Sequence, residues 1–152
     1  MRDRIATVLT LALLAACGGG KDSTGPAADS VDGNWAGSVT NLVGGGLTCT
    51  ASGVTFALNE SGGSFGGTYR IDKFSCTSPG GSASSGPAQG VIVNGSHTGA
   101  DIAFDMDTPD FHFTGAHSVD VRSMSGSTTW SVDVGPPVGI VTLTGNWSVS
   151  RR

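Results

Sequence analysis

His97, His112 and His117 stand near Ser96, Ser118 and Asp120, and an imidazole beside a hydroxyl and a carboxylate is the raw material of nucleophilic hydrolysis. In that chemistry the histidine takes the serine proton while the acid orients the ring. No ordered nucleophile–base motif supports it here, and serine is too abundant for adjacency to carry information. A second group, Asp101, Asp105, Asp107 and Asp110 with His112, is rich in oxygen and could suit Ca²⁺. The alternation Asp101-Ile102-Ala103-Phe104-Asp105-Met106-Asp107, however, places the carboxylates on the solvent face of a strand, where charge discourages edge pairing. The chain is therefore expected to be no enzyme, with no metal site and no cofactor.

The cysteines divide into one and two. Cys17 closes the run Leu14-Ala15-Ala16-Cys17, which follows Arg2, Arg4 and twelve uncharged residues from Ile5 to Ala16. That run is too short for a permanent membrane span. It resembles the bacterial lipobox, in which the cysteine thiol receives diacylglycerol, the chain is cut before it, and the new amine is usually acylated. The resemblance implies a lipoprotein with a signal peptide over 1–16, Cys17 as the lipidated residue, and membrane anchoring through more than one acyl chain. Gly18 follows the cysteine where an aspartate tends to retain Gram-negative lipoproteins at the inner membrane, so the outer membrane is the expected location. Residues 17–30 have the Gly/Ser/Pro composition of a flexible tether. Cys49 and Cys76, in an exported chain, are expected to form a disulfide; closing that loop is worth about 3–4 kcal/mol.

Charged residues are only 13% of the chain, with 25 glycines and a net charge of −4. Without residues 1–16 six basic and eleven acidic side chains remain, so nucleic acid is not an expected partner.

Positioning such residues falls to strands. Period-two alternation recurs over Trp35–Thr40, Val54–Asn59, Ser64–Ile71, Val91–Ser96, Asp101–Asp107, Phe111–Thr114, Ser123–Val134 and Val141–Ser150. Gly44-Gly45-Gly46, Ser61-Gly62-Gly63 and Asp107-Thr108-Pro109-Asp110 are turn sequences. The Ser/Gly/Pro-rich segment 77–90 reads as a loop. No stretch has a helical period. The expected domain, residues 31–152, is all-β: a single antiparallel up-and-down barrel of about eight strands. Gly33-Asn34-Trp35 and Gly145-Asn146-Trp147 sit on the first and last strands, which should meet and close it.

Gly33-Asn34-Trp35 resembles the Gly-x-Trp signature of lipocalins, whose tryptophan plugs one barrel end beneath an arginine from the last strand. That resemblance implies a barrel-end plug of Trp35 under Arg151, which shares the alternation of Trp147 and Val149. Gly66-Gly67-Thr68-Tyr69, Ser127-Thr128-Thr129-Trp130-Ser131 and Asn146-Trp147 resemble strands of the avidin family. They imply a cavity lined by Tyr69, Thr128, Trp130 and Trp147 as ligand-binding residues. The family's polar first-strand residues are replaced around Ala36 and Gly37, so a small apolar or amphipathic ligand is expected rather than biotin. The alternative is a packed structural or interaction domain of the cell envelope.

Overall fold

A computed structural model describes residues 29–133, 135–136 and 139–152. The Leu14–Cys17 motif and the tether up to residue 28 lie outside the described residues. Among the described residues the regular elements are all strands: β1 (Gly33–Gly44), β2 (Leu47–Ser61), β3 (Ser64–Ile71), β4 (Lys73–Ser78), β5 (Gly81–Ser85), β6 (Ala88–Thr98), β7 (Asp101–Asp107), β8 (Asp110–His117), β9 (Ser123–Asp133) and β10 (Ile140–Arg151). The sheet runs β1-β10-β9-β8-β7-β6-β3-β2 and closes because β1 also pairs with β2. The result is a closed eight-stranded antiparallel barrel with two extra strands, as the alternation predicts. Its seam is the one marked by the tryptophans: Trp35 lies opposite Arg151, and Val39 opposite Trp147.

The segment 77–90, predicted as a loop, is instead largely strand. β4 and β5 form a hairpin laid along the first half of β2, with Thr48 opposite Thr77 and Ser52 opposite Lys73. The reason is the length of β2, which runs 15 residues and projects past the end of β3. Its free ladder groups recruit a Ser/Gly sequence of low intrinsic strand preference. Cys49 and Cys76 face each other in this ladder and are disulfide-bonded, the expected bridge.

Three bulges decide which side chains enter the barrel. Asn41 and Asn94 each adopt φ 54°, and Gly53 adopts φ 63°; asparagine and glycine tolerate this left-handed region best. Each insertion shifts the alternation by one residue. In β1 the inward set passes from Val39 to Leu42, and in β2 from Ala51 to Val54. In β6 it passes from Ile92 to Gly95 and His97, so Asn94 is exposed and the imidazole points in.

The middle of the barrel is filled by Phe56, Phe104, Phe113 and Trp147. Every pair among these four rings is in contact, with centroids between 4.6 and 6.5 Å apart. Edge-to-face and offset-stacked arrangements dominate, as the ring quadrupole favours. Gly115 and Gly126 oppose one another on β8 and β9. A Cβ on either would collide with the other strand's backbone, and the Trp147 indole N–H reaches past Gly126 to the Thr114 carbonyl at 3.0 Å.

Candidate functional site

The barrel has two ends of different character. The upper end carries the β1–β2, β4–β5, β7–β8 and β9–β10 connections. Here Trp130 is partly buried, stacks on Phe111 at 5.3 Å and meets the edge of Phe74 from β4 at 4.9 Å. Tyr69 is buried and its hydroxyl donates to the Thr108 carbonyl. Burial, followed by the nearby Asp107 charge, pushes the Tyr69 hydroxyl above its ordinary pKa. Thr128 is 2% exposed and donates to the His112 carbonyl at 2.8 Å.

The four residues singled out as a cavity wall are thus all inward-facing, but they do not share one wall. On β9, Trp130 pairs with Leu143 whereas Gly126 pairs with Trp147, so the two indoles lie at different heights. Tyr69, Thr128 and Trp147 have their polar atoms committed to backbone carbonyls. Of the four, Trp130 alone leaves ring surface partly open.

The lower end carries the start of β1, the end of β10, and the β2–β3, β6–β7 and β8–β9 connections. Trp35 is fully buried, its indole N–H donates to the Val31 carbonyl at 2.9 Å, and the Arg151 guanidinium sits 4.8 Å above the ring. Arg151 also donates to the Ser30 carbonyl at 2.7 Å, while its Nε is buried without an acceptor among the described residues. The indole face therefore offsets part of the cost of burying the charge.

Beside this pair lies a hydrogen-bonded chain of ionisable groups. Glu60 continues the inward alternation of Val54, Phe56 and Leu58. Its Oε2 accepts from the Val31 amide at 2.8 Å and the Ser30 hydroxyl at 3.0 Å, fastening the residues that lead into β1. Its Oε1 lies 2.6 Å from His97 Nδ1, and both side chains are nearly buried, at 11% and 7% exposed. Burial alone would raise the Glu60 pKa, but the bonds from His97, Val31 and Ser30 outweigh it and hold it below its ordinary value. His97 Nε2 is 3.0 Å from His117 Nε2, and His117 Nδ1 is 2.7 Å from the Ser118 carbonyl. Glu60 lies one residue beyond the strand predicted to end at Asn59 and was missed, although the same alternation reaches it. His97 gave no such signal, because the Asn94 bulge reverses the face it would otherwise occupy.

His112 stands on the outer wall, half-exposed, with Nδ1 2.5 Å from Asp105 Oδ1. Hydrogen bonds from Asn94, then from His112, keep the Asp105 carboxyl below its usual value. Among the described residues, the partners of the three imidazoles are carboxylates, backbone carbonyls and one another, with no serine hydroxyl. An open concavity of about 820 Å³ lies where β1, β2, β3 and β6 run side by side, bordered by Thr55, Thr68, Arg70 and Gln89. Arg70 is already paired with Asp72 at 2.8 Å.

Fold and side chains together define a disulfide-stapled meander barrel with an aromatic interior, one end tied by polar bonds and the other lidded by a hairpin. No family model, no curated protein and no solved structure matches the chain.

Proposed function

We propose that this chain is a lipid-anchored protein of the bacterial envelope, most naturally of the outer membrane. Its barrel serves as a non-catalytic scaffold that presents its upper end to an envelope partner. The observation that carries this reading is the mutual packing of Phe56, Phe104, Phe113 and Trp147, which occupies the space a deep internal ligand would need. The Leu14-Ala15-Ala16-Cys17 motif supports the anchor, and Ser30, where the tether ends, is held at the lower end. The upper end would then face away from the lipid. The avidin-like and lipocalin-like motifs we read as features of meander-barrel architecture.

The test is native mass spectrometry of the chain extracted from membranes. The bare mass plus acyl chains is the expected result; a stoichiometric small molecule on the barrel would overturn the packed reading. Cys17→Ser should move the protein out of the membrane fraction, and unchanged fractionation would sink the anchor.

A second reading, a shallow apolar ligand site at the upper mouth, is favoured by Trp130 and Phe74, whose rings remain partly exposed. It predicts a change in Trp fluorescence with an apolar probe that Trp130→Ala abolishes.

A further inference from the structure

We propose that His97 and His117 form a binding site for a divalent transition-metal ion, Cu²⁺ above all, at the lower barrel end. The argument begins with the ring nitrogens that face away from each other. His97 Nδ1 is 2.6 Å from the Glu60 carboxylate, and His117 Nδ1 is 2.7 Å from the Ser118 carbonyl. Both neighbours are acceptors, so in the neutral tautomer that donates Nδ1–H to them each Nε2 is left with a lone pair; the other tautomer of His117 would instead donate Nε2–H to the Gly99 carbonyl. A metal-binding histidine has this same outer arrangement: its far N–H donates to a carboxylate or carbonyl, which fixes the ring and raises the basicity of the ligating nitrogen.

The two Nε2 atoms converge to 3.0 Å, and the Gly99 carbonyl oxygen lies 3.1 Å from that of His117. Three electron-rich atoms meeting at one point repel unless a proton or a metal ion stands among them. Two imidazole nitrogens each about 2.0 Å from a metal lie roughly 2.8 Å apart at a right angle and roughly 3.3 Å apart at the tetrahedral angle. The observed 3.0 Å lies between these values, a spacing two imidazoles on one metal ion can adopt, and the affinity order places Cu²⁺ first.

The protein supplies two imidazoles and at most one carbonyl. Among the described residues no group of three or more His, Cys, Asp or Glu side chains is placed to hold a metal. The remaining positions would be taken by water, which the partly exposed His117 and the exposed Gly99 admit. Glu60 is a positioning residue for His97, and its carboxylate partly balances the added charge.

The test uses the full chain carrying Cys17→Ser, so that no free thiol competes, titrated with CuCl₂ near pH 7.5 against a weak chelator. One equivalent should bind, with electron paramagnetic resonance showing coupling to two imidazole nitrogens. His117→Gln, at a partly exposed position that the fold should tolerate, should weaken binding at least ~10-fold and leave at most one coupled nitrogen. His112→Gln, on the outer wall, should change neither readout. No binding, which would leave a proton as the only cation between the rings, overturns the proposal. So does binding that survives His117→Gln or is lost in His112→Gln.

Discussion

The two ends of the barrel are closed by opposite means. At the lower end, closure is polar and local to the seam: Trp35 under Arg151, and Glu60 gathering the Val31 amide, the Ser30 hydroxyl and His97. At the upper end it is covalent and apolar: a hairpin held to β2 by Cys49–Cys76, with Phe74 against Trp130. An eight-stranded barrel has an interior just wide enough for side chains, so its ends are where water could enter. The lower end shuts with buried hydrogen bonds, which are costly to leave half-made. The upper end shuts with a staple and half-buried rings, and so leaves ring surface open.

The largest expected contrast comes from the two indoles. Trp35→Ala should cost about 3–5 kcal/mol in urea denaturation, the range for emptying a buried aromatic site. Trp130→Ala should cost clearly less, since its ring is only partly buried; equal losses would erase the distinction between the ends. Next in size, replacing Cys49 and Cys76 together by serine should lower stability by about 3 kcal/mol on the chain-entropy estimate. In native-state hydrogen exchange the added opening should be concentrated in β4 and β5. Uniform loss of protection down to Trp35 would mean that the staple holds the whole barrel.

Glu60→Gln should cost about 1.5–3 kcal/mol near neutral pH, the scale of hydrogen bonds to a charged group. Because the folded-state pKa of Glu60 lies below its ordinary 4.5, its contribution is present above that value. It is lost as pH falls through the lower folded-state value. The gap between wild type and Glu60→Gln should therefore narrow below about pH 4.5 in denaturation midpoints, and a gap that widens in acid contradicts the network. Smallest is Arg151→Lys, expected to cost on the order of 1 kcal/mol, since an ammonium reproduces neither the flat stacking on Trp35 nor the reach to the Ser30 carbonyl. A matching change at Arg70, exposed and paired only with Asp72, should be near zero.

Much of this was legible residue by residue. Val54, Phe56 and Leu58 are written in strict alternation, and the structure keeps that order and extends it to Glu60. The tryptophan strands marked the seam correctly because edge strands with apolar faces have few ways to be covered. Where alternation breaks, the reading failed. Segment 77–90 looked like a loop because serine and glycine say little about strand formation; β2 supplied the template. His97 stood out only as an imidazole beside Ser96; the bulge at Asn94 turned it inward beside Glu60 instead.

Local order in the chain determined the strand class and the meander connectivity, because both rest on nearest-neighbour periodicity and turn chemistry; the cysteine pair followed from there being two cysteines beyond the leader-like segment. Tertiary structure alone decided that the four central rings fill the barrel, that Trp130 and Trp147 lie at different heights, and that two imidazoles converge at one end. Those outcomes depend on register between strands distant in sequence. A one-residue bulge moves every following side chain to the other face.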